Sequence, residues 1–249
     1  MKSETKMTIL GHLAELRSRL LKSVIAVIIT SSLSFVFADK IFQILVLPAK
    51  GTEFIFVDMT EMLSNYIKVC LTAGIMIAMP FLAFQLLMFA APALTPKEKG
   101  SIFVALPVIV FMFIAGAAFS YFVLLPPALN FLTTFGSEIA TPQIRISSYL
   151  SIVTRLILAT GIMFELPVIS TFLARLGIIT PEWLARKRKF AFVLSFILAA
   201  IITPTADPVN QSLVAAPLIV LYEMSIGLAK LVGKKHAGSV VAMPAPQAS

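Results

Sequence analysis

Long uninterrupted apolar runs dominate this chain, and its polar positions fall between the runs rather than alternating with them. The runs lie at about 21–38, 66–92, 101–126, 149–176, 190–203 and 212–230. A helix rises about 1.5 Å per residue, so about 20 apolar residues cross a hydrocarbon layer of about 30 Å. Six transmembrane helices are therefore predicted. A short amphipathic helix is expected before the first of them, because Leu10, Leu13, Leu16 and Leu20 share one side and suit a membrane surface. The basic stretch leading into an apolar run looks like a secretion signal, but no small-residue cleavage site follows, and the segment is read as an uncleaved anchor. The run from Phe190 to Thr203 is short for a crossing and ends in the turn-forming Thr203-Pro-Thr-Ala-Asp-Pro208. The last two runs thus predict a hairpin of undersized helices, which would thin the bilayer locally or recruit partner helices. The longer connections 39–65 and 127–148, which contain Pro48, Pro127 and Pro142, are expected to form ordered caps, since unpaired backbone is not tolerated in lipid. This gives one transmembrane domain over 1–235 and a small-residue tail, 236–249, expected to be disordered.

Composition narrows the solvent to lipid. Of the 249 residues 59% are hydrophobic and only 13% charged, about half the charge of an ordinary soluble domain, and the mean hydropathy is +0.97. The formal net charge of +8 would suit nucleic acid if it were clustered at random, but it is not. When the connections are assigned alternately to two faces, fifteen of the twenty Lys and Arg fall on the face that holds both termini. Short loops rich in Lys and Arg stay in the cytoplasm, so both termini are predicted to be cytoplasmic and no nucleic-acid partner is implied. Cys70 is the lone cysteine, and His12 and His236 are the two histidines, one near each end. That excludes an intrachain disulfide, a His-based triad and a His/Cys metal centre, and no cofactor is expected. The segment from Gly227 to Lys235 has the wrong spacing for a phosphate loop and closes a helix instead of opening one. An enzyme is not indicated.

Acidic groups in or beside apolar spans carry most of the functional signal, because burying them is costly. Glu165 lies well inside the fourth run, two residues before Pro167, which interrupts the helical hydrogen bonds and frees a carbonyl near Met163 or Phe164. A contact to a partner is the favoured way to satisfy that carboxyl, and a bond to a neighbour such as Gln85 is the structural alternative. Glu223 sits nearer the end of the last run, where Lys230 or Lys189 is the expected counter-ion. Glu15 precedes Arg19 by one helical turn, the spacing of an ordinary surface pair, and Glu98 opens the third helix, where a carboxylate also favours the helix dipole. Two carboxylates on a cationic face would also suit a pair of guanidinium groups, which fork onto carboxylates as lysine cannot.

Several short motifs follow one another along the six runs: His12-Leu-Ala-Glu-Leu-Arg-Ser-Arg-Leu20, Pro48 with Thr60-Glu61, Pro80, Gln85 and Phe89-x-x-Pro-Ala-Leu-x-x-x-Glu98. Further on come Gly116-Ala-Ala-Phe-Ser-Tyr121, Phe164-Glu-Leu-Pro167, Gly177-Ile-Ile-Thr-Pro181, Thr203-Pro204, and Gln211 with Pro217 and Leu221-Tyr-Glu223. In this order they resemble the TatC family, the multispanning subunit of the twin-arginine protein translocase, and the resemblance covers nearly all of 8–235. It implies a concave, glove-like bundle of six helices in a prokaryotic cytoplasmic membrane rather than a thylakoid. It further implies a receptor that binds twin-arginine signal peptides of folded cargo at the cytoplasmic face, associates with its own copies, and works with single-span TatA/TatB-type partners on the proton gradient. By the same resemblance Glu15 and Glu98 contact the arginines, Arg17 orders the carboxylates, and Phe89 supplies an apolar wall. Glu165 and Gln85, with Thr203 and Gln211 near the short helices, are implied as membrane-level polar and partner contacts. Pro48, Tyr121 and Glu223 are read as structural. Two departures bear on the loops: Met-Leu-Ser-Asn65 lacks an aromatic after Thr60-Glu61, and the 203–211 turn carries an extra residue and Pro208.

The rival from another class is a proton-coupled small-solute transporter with Glu165 and Arg155 as relays. Such carriers are built from internal repeats, and the two halves of this chain show no self-similarity.

Overall fold

No proline or glycine falls between Gly11 and Val36, so nothing interrupts the hydrogen-bond ladder there. Helix α1 accordingly runs unbroken from Ile9–Val36, about 42 Å, and merges the expected surface helix and first span into one element. This corrects the two-helix reading of the N-terminal segment. The structure is a computed structural model that describes residues 9–90, 96–134, 143–175, 177–203 and 208–240. It divides into two compact units, Met1–Leu158 and Ala159–Ser249.

In the first unit α1 packs along α3 (Glu61–Ala90), with α2 (Ala38–Val46) on the same helix. At the crossing Thr30 Oγ1 donates to the Gly74 carbonyl at 2.8 Å. Pro48 enters a single 3₁₀ turn, Leu47–Ala49, and strand β1 (Phe54–Ile55) follows. β1 pairs in parallel with β2 (Ile144–Arg145), Phe54 opposite Ile144 and Ile55 opposite Arg145, so the two long connections meet as a two-stranded sheet. Residues 61–65, expected in a loop, form the first turn of α3 instead. Glu61 makes this possible, because its carboxylate satisfies backbone donors ahead of the helix. Oε2 accepts from Val57 N at 2.9 Å, from Asp58 N at 3.4 Å and from Arg145 Nη2 at 3.2 Å, and Oε1 accepts from Ser147 N at 3.3 Å. One side chain thereby joins the start of α3, the end of β2 and the start of α6 (Ile146–Met163). Glu61→Ala would leave those donors orphaned, so faster proteolysis across 50–60 and a lower melting temperature in detergent are expected, with Glu53→Ala, an exposed neighbour, unchanged.

Two phenols secure the end of α2. Tyr149 donates to the Leu45 carbonyl and Tyr121 to the Ile44 carbonyl, each at 2.6 Å, where the last turn of a helix lacks intrahelical partners. Tyr149 is 1% exposed, so Tyr149→Phe is expected to cost about 1 kcal/mol in thermal unfolding, whereas Tyr66→Phe, whose bond to Asp39 is exposed, would cost less.

The third apolar run does not stop at Pro126. α4 (Pro96–Phe119) passes through a π-helical turn, Ser120–Leu124, into α5 (Leu125–Thr134), so the expected connection at 127 begins later. A proline ring presses on the carbonyl four residues back, and the wider turn relieves that pressure for Pro126 and Pro127 while the helix continues. Residues 135–142 lie outside the described residues.

In the second unit α6 gives way at Phe164-Glu165 to α7 (Leu166–Arg175), the break falling just before Pro167 as the sequence predicts. α7 ends in a Schellman closure: Ile178 N donates to Leu173 O and Gly177 N to Ala174 O, both at 3.1 Å, with Gly177 at φ +70°. Thr180 caps α8 (Pro181–Arg186) by accepting from Trp183 N at 3.2 Å. α9 (Arg188–Ile202) and α10 (Pro208–Val240) form a hairpin, and α10 also packs on α7. Leu184, Ile226 and Ala229 centre the packing at one end of this unit. Five stretches among the described residues are long and apolar enough to cross a membrane. The fifth expected span is α9, whose 15 residues measure about 22 Å and fall short of a full crossing. α10 continues to Val240, past His236 where the tail was expected to start, and 241–249 lie outside the described residues.

Candidate functional site

Helix spacing builds the first cluster. Positions four apart share a helix face, so Glu15 and Arg19 of α1 meet, while Arg17 points about 200° away from Glu15. Arg19 donates to Glu15 Oε1 from both Nε (2.9 Å) and Nη2 (2.6 Å), and its Nη1 donates to Gln85 Oε1 on α3 at 3.2 Å. Three residues before Glu15, His12 stacks on Phe89 of α3, with ring centroids 4.3 Å apart. Glu15 Oε2 is buried and has no hydrogen-bond partner among the described residues. The cluster thus holds a carboxylate by one oxygen, keeps the other as an unspent acceptor, and sets an aromatic pair beside it.

Two expectations change here, and one residue is added. Arg17, expected to order the carboxylates, is exposed and makes no described contact; Arg19 takes that place. Gln85, expected at membrane depth beside Glu165, has its side-chain oxygen on Arg19. His12 joins the site through Phe89, and the signal for it was its position one turn before Glu15. Glu98 lies on the first turn of α4, and its side chain is outside the described residues, as is the preceding segment 91–95.

The second group lies in the other unit. Glu165 is 3% exposed at the turn between α6 and α7, where its carbonyl accepts from Ile169 N at 2.9 Å. Thr203 Oγ1 donates to the Ala199 carbonyl at 2.8 Å, and Gln211 Nε2 donates to the Phe196 carbonyl at 3.0 Å. Both side chains therefore work inside the α9–α10 hairpin. Gln211 also borders a cleft of about 480 Å³ whose walls include Phe192, Val193, Ile197 and Ile201. Glu223 pairs with Arg188, Nε to Oε1 and Nη2 to Oε2, each at 2.8 Å. That corrects the expected partners: Lys230 lies two turns farther along α10, and Lys189 is rotated about 100° from Arg188 on α9.

A family model described as Sec-independent protein translocase protein (TatC) matches residues 11–217. The chain belongs to the TatC family. A TatC of Carboxydothermus hydrogenoformans is 39% identical over 232 residues, which is 92% of this chain and 96% of that protein. A TatC of Aquifex aeolicus is 41% identical over 235 residues, covering 92% and 97%. Among solved structures, a crystal structure of the twin-arginine translocase receptor TatC superposes with a TM-score of 0.80 at 42% identity, covering 89% of this chain and 99% of that one. The all-α membrane fold expected from the apolar runs is thus the TatC fold, and TatC membership together with the apolar helices makes this a multi-pass membrane protein and a component of a protein translocase.

Proposed function

We propose that the chain is the multispanning receptor of a twin-arginine translocase in a prokaryotic cytoplasmic membrane. In this reading it binds the twin-arginine signal peptides of folded cargo at the cytoplasmic face, assembles with further copies and with TatA/TatB-type single-span proteins, and draws on the proton gradient. The observation that carries the reading is Glu15: Arg19 fixes one carboxylate oxygen and leaves the other without a partner among the described residues. A carboxylate already held in place accepts an incoming guanidinium with little further ordering, and the fork of arginine suits it better than the point charge of lysine. Glu98 supplies the second acid and Phe89, backed by His12, the apolar wall. Arg17, exposed on the same helix, contributes to the local field. Glu165, at the break before Pro167, together with the Thr203 and Gln211 hairpin, is where a partner helix or inserted signal segment meets the bundle. The whole of 1–235 acts as one transmembrane module.

The test is binding of labelled peptide to the purified protein, comparing Arg-Arg with Lys-Lys sequences on wild type and on Glu98→Gln. A charge-assisted arginine contact is worth about 1.5–3 kcal/mol, so the substitution is expected to weaken Arg-Arg binding by about tenfold to a hundredfold and to erase the preference. Equal binding of both peptides, unaffected by Glu98→Gln, would refute the assignment.

A further inference from the structure

Four consecutive cations, Arg186, Lys187, Arg188 and Lys189, stand exposed where α8 ends and α9 begins. A topological role accounts for their sign, but not for the cleft beside them. Arg188 and Lys189 border a cleft of about 430 Å³ between α9 and α10, whose other walls include Phe192, Val193, Ile219 and Glu223. Its polarity is graded along both helices. On α9 the cations come first, with Phe192 and Val193 about one turn further in. On α10 Glu223 lies at the cationic end, with Ile219 one turn deeper. Charge at one end and aliphatic surface at the other is the profile of an amphiphile lying parallel to the helices.

Glu223 does not cancel the charge at the mouth. It is met side-on by Arg188 Nε and Nη2, which leaves the Nη1 donors of that guanidinium unspent on it. Lys189 borders the cleft as an exposed cation, and the first turn of α9 adds the positive end of a helix dipole to the same spot. Trp183, 49% exposed, and Tyr222, whose hydroxyl donates to the Leu184 carbonyl at 2.8 Å, flank this level with the amphipathic rings that favour a membrane interface.

We propose that this cleft is a binding site for an anionic phospholipid, with its phosphate between Arg188 Nη1 and Lys189 and one acyl chain along Phe192, Val193 and Ile219. The proposal rests on the positive-inside transmembrane reading of the chain and is independent of signal-peptide binding. A lipid is favoured over a free phosphate because the apolar walls continue directly into the exposed faces of α9, where Val193 and Ile197 are 57% and 50% exposed. Basic pockets between helix ends on the cytoplasmic side have this chemistry.

The test is native mass spectrometry of the full chain released from detergent with phosphatidylglycerol, phosphatidylcholine or soluble glycerol 3-phosphate. Phosphatidylglycerol is expected to be retained in preference to phosphatidylcholine and not displaced by glycerol 3-phosphate. Lys189→Gln is expected to lower that retention about fivefold, the effect of one basic residue at an anionic surface, while Lys230→Gln, exposed on α10 and outside the cleft, leaves it unchanged. Val193→Trp, which fills the cleft and keeps every charge, is expected to abolish it. Melting temperatures without lipid separate loss of binding from loss of fold. Equal retention of the two lipids, equal losses in Lys189→Gln and Lys230→Gln, or displacement by glycerol 3-phosphate would each overturn the site.

Discussion

Gly74→Val and Gly74→Leu are expected to abolish accumulation of folded protein, and Gly74→Ala to lower its melting temperature steeply. A Cβ at position 74 would sit 2.6 Å from both Cα and the backbone N of Ser31, and closer still to Ser31 Oγ. The obstacle is the backbone of α1, which cannot swing aside as a flexible side chain would. Overfilling a packed interior costs about 1–3 kcal/mol, and a forced separation of α1 from α3 would also break the Thr30 bond to the Gly74 carbonyl, worth about 1 kcal/mol more. Nothing else compensates in lipid, where apolar side chains gain little by leaving one hydrocarbon for another and helices associate through close contact and hydrogen bonds. Gly227 on α10 is the control. A Cβ there meets nothing within 4 Å, so Gly227→Ala is expected to be neutral or to stabilise by about 0.5–1 kcal/mol through the better helix propensity of alanine. Thermal unfolding in detergent, followed by size-exclusion fluorescence, reads both variants. Similar curves for Gly74→Ala and Gly227→Ala would show that α1 and α3 do not cross at Gly74 and Ser31.

The same crossing shows what the sequence could convey. The apolar runs became helical, the fourth of them as two helices parted at Phe164-Glu165, because a hydrophobic stretch in lipid has no other way to satisfy its backbone. The break at Pro167 was legible as well, since it rests on one local residue with one local effect. Less legible was whatever depends on two distant segments. Glu61 read as a loop residue until β2 and the start of α6 were brought to it, and its helix begins early because Ser147 and Arg145, more than eighty residues away, share its carboxylate. Pro126 and Pro127 read as a stop, yet a π turn carried the helix past them, a solution visible only in backbone geometry. Glu223 was matched with Lys230 on its own helix or Lys189 on the preceding one, whereas the phase of the antiparallel hairpin gave it Arg188, the neighbour of Lys189. In the candidate site Glu15 was legible from its family motif, but the identity of its holder was not. That required the helical phase of Arg19 together with the position of Gln85 on another helix.

That holder shapes the second large effect expected. Glu15→Gln should weaken binding of an Arg-Arg peptide by about tenfold to a hundredfold, and the Glu15→Gln/Glu98→Gln pair should lose more than either alone if each acid takes one arginine. Arg19 decides how the acid works. If the guanidinium merely occupied Glu15, Arg19→Gln would release both oxygens and raise affinity. The geometry favours the opposite outcome. Arg19 grips only Oε1, by two bonds, and its other arm is tied to Gln85 across the α1–α3 interface, so it fixes the rotamer of Glu15 and leaves Oε2 to accept. Freed from Arg19, the carboxylate would have to be ordered by the peptide itself, at a cost of about 1–2 kcal/mol in rotamer freedom. Arg19→Gln is therefore expected to reduce affinity several-fold, Gln85→Leu to reduce it less, and neither to reverse the preference for Arg-Arg over Lys-Lys. The measurement is a peptide titration on each variant after its melting temperature has been matched to wild type. Tighter binding by Arg19→Gln would mean that the pair masks the site, and that the receptor must break it before an arginine can enter.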